Sequence, residues 1–476
     1  MQMISFVFFG FVAIIFLLLW SVNKFITDDK KAIKVSNAIL LFASYIFIFY
    51  ADWRFAAVLA GVTLTTWYTA KNEKIRICGV IIAVLALCYF KYTDFFVSSL
   101  AKIFGTEHSV LNIILPLGIS FYTFSAIGYI IDVSRGKIAS RNLADVALYM
   151  AYFPKITSGP IQRGKDFYEQ IENKRIVGWS TLAPGIQIFV FGLFKKIVLA
   201  DRLSVFVNQV YETPLAFGSG TVLFATLAYS LQIYFDFSGY SDMAIGVSKI
   251  IGIELPRNFN LPYLAYNVTE FWKRWHITLS SWLQEYVYIS LGGNRKGKNR
   301  TYINLLLTML IGGLWHGANW TYIFWGLLHG IALICHKIWM KLTNSPAKKH
   351  STLVNLVAIL LTFSYTNFCW IFFRAETVEK AFTIIKRIIS FEAGISQPYM
   401  WSFISIIILV LSSIIASVHS KGNSESKKAE NTCTVEGYYP FVDLDSFWGL
   451  VIFFVFCGII LVWAYTGGSP FIYGKY

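Results

Sequence analysis

A chain of 476 residues would ordinarily divide into two or three soluble domains, but 56% hydrophobic and only 14% charged residues exclude that class. Together with a mean hydropathy of +0.57 they place it among polytopic membrane proteins. The formal charge of +15 does not imply a nucleic-acid partner, because Lys and Arg fall in short loops between apolar runs, as charge asymmetry across a membrane requires.

In chain order, residues 4–22 form one apolar run of spanning length. No positive segment precedes it and no small-residue cleavage site follows, so a cleaved signal peptide is not expected. Lys24, Lys30, Lys31 and Lys34 come next, which predicts that end in the cytoplasm and the N-terminus outside. Further apolar runs lie near 36–50, 55–70, 75–91, 111–131, 182–200, 221–235, 302–315, 320–340, 352–373, 400–418 and 447–465. They predict an all-α polytopic membrane protein with roughly eleven or twelve membrane helices plus re-entrant or interfacial segments. No internal repeat or separate soluble domain is visible, so residues 1–476 read as a single membrane-embedded domain.

Pro116, in ILPLGISFYTF, is expected in the first turn of its helix, where a missing N–H does no harm. Residues 145–163, DVALYMAYFPKITSGPIQR, are too short and interrupted for a comfortable span. They read as a re-entrant or interfacial segment buried against other helices. Asp236 and Asp242, in SLQIYFDFSGYSDMAIG, would stand about 240° and about 9 Å apart on a continuous helix, so each is expected to pair with a Lys, Arg or Tyr neighbour. The polar stretch 419–446 reads as a mobile loop without a catalytic constellation. The six cysteines (Cys78, Cys88, Cys335, Cys369, Cys433 and Cys457) show no CxxC pair or metal spacing, and read as packing residues.

The stretch 271–330 organises the rest. On a helix from about 269 to 291, Glu270, Lys273, Arg274, Ser281 and Glu285 share one side, while Trp275, Trp282 and Ile289 recur every seven residues on another. That is the pattern of an interfacial helix. His276 sits one turn before Ser280, so its imidazole is placed to bond that hydroxyl or to face a cavity; a structural and a functional role stay equally open. The turn GGNRKGKNR (292–300) presents Arg295, Lys296, Lys298 and Arg300. It reads first as a cytoplasmic turn obeying charge asymmetry, and second as a site for a donor's phosphates; it lacks a P-loop's spacing and its Lys-Ser/Thr ending.

The sharpest feature is GGLWHGANW (312–320). Gly312, Gly313 and Gly317 permit close backbone approach around His316, and Asn319 is a neutral donor suited to a carbonyl or oxyanion. An ionisable side chain inside an apolar run is a functional candidate, with a satisfied structural histidine as the alternative. On a straight helix His329 would lie about 20 Å and about 220° from His316, which makes it a supporting or structural group and argues against a zinc pair. A lone buried imidazole suits a general base that takes a proton from an acceptor hydroxyl, which then attacks an activated acyl group.

At these residues the sequence resembles the membrane-bound O-acyltransferase family, and within it the bacterial alginate O-acetyltransferase branch. RWHITLSSWLQEYVYISLGGNRKG and LIGGLWHGANWTYIFWGLLHG read like that branch's signature blocks. ILPLGISFYTFSAIGYIIDVSRG (114–136), YFPKITSGPIQR (152–163) and FDFSGYSDMAIG (235–246) resemble its other blocks, and NFCWIFFRAETVEKA (367–381) does so more loosely. The resemblance implies helices around a central pore or funnel, a catalytic histidine matching His316 and a second family histidine matching His276. It further implies an acyl donor on the cytoplasmic side, acetyl-CoA, with no bound cofactor. The acetyl group would pass to an extracytoplasmic partner that modifies an exopolysaccharide, in a bacterial cytoplasmic membrane. The teichoic-acid D-alanylation branch is the nearer alternative. From other classes there remain a transporter or flippase of polysaccharide precursors, whose usual inverted repeats are not found, and a structural subunit of a secretion complex.

Overall fold

The computed structural model describes residues 3–106, 111, 113–343, 351–397, 399–408, 442–465 and 467. These form helices and no sheet, with one isolated bridge between Phe217 and Ile395. Cys433 and most of the polar stretch 419–446 lie outside the described residues.

Polar side chains start many of the helices, each accepting an orphan N–H of the first turn. Ser5 caps α1 (Phe6–Phe25), Asp28 caps α2 (Asp29–Ala51) and Asp52 caps α3 (Trp53–Lys71). Then follow α4 (Arg76–Phe104), α5 (Ile119–Ser134), α6 (Leu143–Ala151), α7 (Phe153–Ile156), α8 (Gly164–Ile171) and α9 (Trp179–Leu193). A π-helical segment, Phe194–Ala200, leads into α10 (Asp201–Glu212), and α11 runs Ser219–Ile250. The second half contains α12 (Val268–Arg274), α13 (Ile277–Trp282), α14 (Lys298–His316), α15 (Trp320–Leu342), α16 (Thr352–Arg374) and α17 (Val378–Ile389). It closes with α18, described over 400–408, and α19 (Phe447–Trp463).

Where described, the expected apolar runs fall largely on helices, but among the described residues only six helical segments are long and apolar enough to cross a membrane. They are Phe6–Phe25, Asp29–Ala51, Glu73–Phe104, Trp179–Glu212, Trp320–Leu342 and Thr352–Arg374. The remaining runs lie on shorter or less apolar helices, or fall partly outside the described residues. The run 111–131 yields only the sixteen residues of α5, since Gly118 caps the helix in a left-handed conformation (φ 76°). Pro116 accordingly precedes α5, its carbonyl accepting the Ile119 N–H, rather than sitting in the first turn.

Two compact units emerge from the packing: Met1–Phe191 with Ser241–Pro256, and Gly192–Tyr240 with Arg257–Tyr476. In the first, Phe8, Phe11, Phe47 and Phe153 interlock edge to face or tilted, with ring centroids 5.2 to 6.5 Å apart. The segment 145–163 breaks into the greater part of α6, the four residues of α7 and an irregular tail, nearly all buried. Its backbone is satisfied by side chains, as irregular structure inside apolar surroundings must be. Phe153 N–H donates to Ser44 Oγ, and Tyr149 Oη donates to the Gln162 carbonyl.

The second unit carries the histidine-bearing helices. There α14 and α15 form an antiparallel pair that meets backbone to backbone. A Cβ on Gly313 would lie 2.3 Å from the Tyr322 carbonyl oxygen, and one on Gly326 2.4 Å from that of Met309. Only glycine fits at those two crossings. A buried ion cluster stands in the same unit: Lys196 Nζ lies 2.6 Å from Asp201 and 2.7 Å from Asp236. The expected cation partner of Asp236 is therefore Lys196, while Asp242 is buried in the first unit.

Candidate active site

His316 is the last residue of α14, where the helix ends because Gly317 adopts extended backbone. A Cβ on Gly317 would lie 2.2 Å from the Tyr322 ring, so the exit from α14 also requires glycine. The imidazole is 3% exposed and held in an aromatic box. Its ring centroid is 5.0 Å from Trp315, 5.0 Å from Trp325 and 5.2 Å from Phe373, all edge to face. Edge-to-face packing fixes the ring plane and is worth roughly 0.5–1.5 kcal/mol per pair beyond burial.

His276 is not inside a continuous helix. The expected helix over 269–291 is broken at Trp275 and His276 into α12 and α13, and continues as a π-helical segment, Leu283–Tyr288. The break is local: His276 takes left-handed backbone (φ 43°), unusual for a residue with a Cβ and characteristic of functional sites. Its side chain does not turn to Ser280, whose hydroxyl donates instead to the Trp275 carbonyl. Nδ1 lies 3.0 Å from Asn258 Oδ1. That Asn258 atom also accepts from Thr278 N–H and Thr278 Oγ1, which fixes it as oxygen. His276 Nδ1 is thus the donor, and the lone pair is on Nε2. Full burial pushes this imidazole, which lies outside the six spans, down to about 3, so it is neutral. Asn258 was not singled out from sequence; it lies eighteen residues upstream in an irregular segment with no periodic pattern.

Trp315 links the two histidines. Its ring centroid is 6.1 Å from His276 and 5.0 Å from His316. Phe237 packs edge-on against His276 at 4.6 Å. The structure therefore gathers the two sequence-predicted histidines around one aromatic cluster.

His329 does not sit on the same helix as His316, because the chain turns at residues 317–319 between α14 and α15. Trp325, fully buried, is 5.0 Å from each imidazole. Trp272 Nε1–H donates to His329 Nδ1 at 3.3 Å, and Phe271 stacks on the ring. The straight-helix geometry expected between His316 and His329 therefore does not hold.

Asn319 is committed elsewhere. Its Oδ1 accepts the Thr321 N–H as the cap of α15, and its Nδ2 donates to the Glu376 carbonyl at 2.8 Å. The side chain read from sequence as a free carbonyl donor is thus a helix cap, a role for which asparagine is among the preferred residues.

Arg295, Lys296 and Lys298 are exposed on and just after a turn built by left-handed Gly292, Gly293 and Gly297. Asn304 ties that turn down by donating to the Leu291 and Gly293 carbonyls. The turn opens α14 and His316 closes it, so eighteen helical steps, about 27 Å, separate Lys298 from His316. The structure does not bring the basic turn and the histidines together.

Comparison with known proteins identifies the family of the chain. The family model described as MBOAT, membrane-bound O-acyltransferase family, matches residues 133–375, which include both histidines. The chain is 42% identical over 375 residues to a protein of Pseudomonas aeruginosa named probable alginate O-acetylase, covering 75% of this chain and 70% of that one. It is 38% identical over 391 residues to a peptidoglycan O-acetyltransferase of Helicobacter pylori, covering 74% and 73%. It is 30% identical over 339 residues to a teichoic acid D-alanyltransferase of Bacillus subtilis, covering 66% and 82%. With several apolar helices of spanning length, the chain is a multi-pass membrane enzyme that transfers acyl groups to oxygen. It belongs to the membrane-bound O-acyltransferase family.

Proposed function

We propose that the chain is a membrane O-acetyltransferase that takes an acetyl group from acetyl-CoA on the cytoplasmic side. It passes that group across the cytoplasmic membrane for O-acetylation of an extracytoplasmic polysaccharide, through an acetyl-accepting partner protein. The observation that carries this reading is the His316 imidazole, buried in an aromatic box at the end of α14, in a chain related over three quarters of its length to an alginate O-acetylase.

In this reading His316 is the general base. It takes the proton of the acceptor hydroxyl, whose oxygen attacks the acetyl carbonyl carbon. The bond to the donor's sulfur breaks, and the leaving thiolate takes the proton back. His276, neutral and held by Asn258, positions donor or acceptor. Arg295, Lys296 and Lys298 meet the donor's phosphates at the other end of α14. Asn319 positions the site by capping α15, and an oxyanion falls to backbone N–H groups of the turn after His316.

Acetate released by mild base from purified surface polysaccharide tests the proposal. Wild-type cells, a deletion, and the deletion complemented with His316→Ala at matched protein level are compared. Loss of acetate in both the deletion and the variant is expected. Acetate unchanged in the deletion would sink the reading. A second one, D-alanyl transfer to a teichoic acid, is favoured by the Bacillus subtilis relative, and predicts loss of ester-linked D-alanine instead.

A further inference from the structure

His276 and His316 stand on different elements of the second unit, and how those elements meet sets their spacing. α12 has only seven residues and ends at the left-handed break. Two turns of helix cannot fix their own orientation and take it from what they pack on. α14 and α15, by contrast, are locked to each other at Gly313 and Gly326. α12 meets this pair along a seam made by two histidine side chains of α15. Trp272 Nε1–H donates to His329 Nδ1 at 3.3 Å, and one turn earlier on α12 Thr269 Oγ1 lies 2.8 Å from His336 Nδ1.

The bond from Trp272 fixes the state of His329. An indole N–H only donates, so Nδ1 is the acceptor and the neutral ring carries its proton on Nε2. That nitrogen is buried, without a hydrogen-bond partner among the described residues. A ring so placed holds its neighbours rather than passing protons between them. Those neighbours belong to both histidine-bearing elements. Phe271 lies parallel to His329 with ring centroids 6.0 Å apart, and Trp272 reaches Trp325 at 5.6 Å. Trp325, one turn before His329 on α15, is in turn 5.0 Å from His316.

We propose that His329 is a positioning residue for acyl transfer: by accepting the Trp272 N–H it sets the register of α12 on α15, and with it the placing of His276 relative to His316. The proposal rests on the reading of those two histidines as the reacting centre. It asks for neither charge nor proton transfer at His329. Asparagine can therefore stand in, because its Oδ1 is as many bonds from the backbone as Nδ1 and accepts the same N–H. Phenylalanine keeps a planar ring of similar size and loses the acceptor.

Steady-state acetyl transfer by the full chain in lipid nanodiscs tests this, with size-exclusion profiles to count folded protein. His329→Phe should lower kcat about tenfold or more, the scale of a misplaced reacting group, and leave KM for acetyl-CoA within about twofold. His329→Asn should bring kcat back to within about threefold of wild type. Trp272→Phe should match His329→Phe, and the double variant should be no slower than either single one. If His329→Phe does not fold, Trp272→Phe and His329→Asn decide. Nitrogen NMR of isotopically labelled histidine, with the His329 signals assigned by their loss in His329→Asn, should show Nδ1 unprotonated. Wild-type kcat in a folded His329→Phe variant would overturn the proposal. So would a His329→Asn variant as slow as His329→Phe, additive losses in the double variant, or a proton on Nδ1. Failure of the underlying reading shows elsewhere: a wild-type chain that leaves acetyl-CoA unconsumed refutes acetyl transfer. The same variants are then compared with a D-alanyl thioester donor, and the same outcomes decide.

Discussion

Asn258 Oδ1 accepts three hydrogen bonds from one short stretch of chain: His276 Nδ1–H at 3.0 Å, Thr278 N–H at 3.3 Å and Thr278 Oγ1–H at 2.9 Å. One oxygen thereby holds the left-handed His276 backbone, starts α13 and sets the imidazole tautomer. Asn258→Ala should cost about 2–3 kcal/mol, because it leaves several buried donors without an acceptor at once. Thr278→Ala removes only one of them and should cost about 1 kcal/mol. Thermal melting of the two purified variants in the same detergent checks the order; equal losses would show that Asn258 is not the hub.

His316→Gln keeps a polar side chain of moderate size in the aromatic box while removing the imidazole. Acetyl transfer by the purified enzyme should fall by about 10²–10⁴, the ordinary contribution of a general base, with the melting temperature little changed. Full activity in a folded His316→Gln variant would remove the base from the mechanism.

The basic turn should act on binding rather than on chemistry. Replacing Arg295, Lys296 and Lys298 together by Ala is expected to raise KM for acetyl-CoA and leave kcat near wild type, since the turn is a whole helix away from His316. The wild-type KM should also rise with ionic strength, and the variant's much less. Steady-state kinetics at two salt concentrations read both effects.

Lys196 bridges Asp201 and Asp236, and both carboxylates are buried. Lys196→Met strips the shared cation and should cost about 3–5 kcal/mol, enough to remove most folded protein from the membrane. Adding Asp201→Asn and Asp236→Asn to it should recover part of the loss, because fewer buried charges then lack their partner. Fluorescence-detected size exclusion of the tagged variants measures this; a triple variant worse than the single one would count against the ion-cluster account.

Much of this site was legible in the sequence because it rests on local signals. An imidazole in an apolar run marked His316, and the glycines flanking it marked the close approach now seen at Gly313. What was missed depends on tertiary contacts. No period in the sequence announces the break at Trp275 and His276, since apolar residues continue at helical spacing through it. Asn258 finds His276 only when an irregular segment folds back. Asn319 was misread because an asparagine before a helix and an asparagine beside a histidine look alike until the Glu376 carbonyl is seen to hold it. Hydropathy likewise registers that a residue is apolar, not whether it ends up facing lipid or protein.

The glycine contacts between α14 and α15 have a mechanical consequence. Where helices touch through long side chains, rotamer changes absorb small displacements, and each helix can drift against its neighbour. At Gly313 and Gly326 there is no such cushion, because peptide planes abut directly. His316 and Trp325 are therefore carried on what behaves as a single stiff rail, and any motion that admits substrate must shift the pair as one piece. Gly313→Ala, whose methyl would strike the Tyr322 carbonyl, should accordingly blunt turnover by misaligning the rail. Gly312→Ala, which meets only the end of the Leu283 side chain, should leave turnover nearly intact.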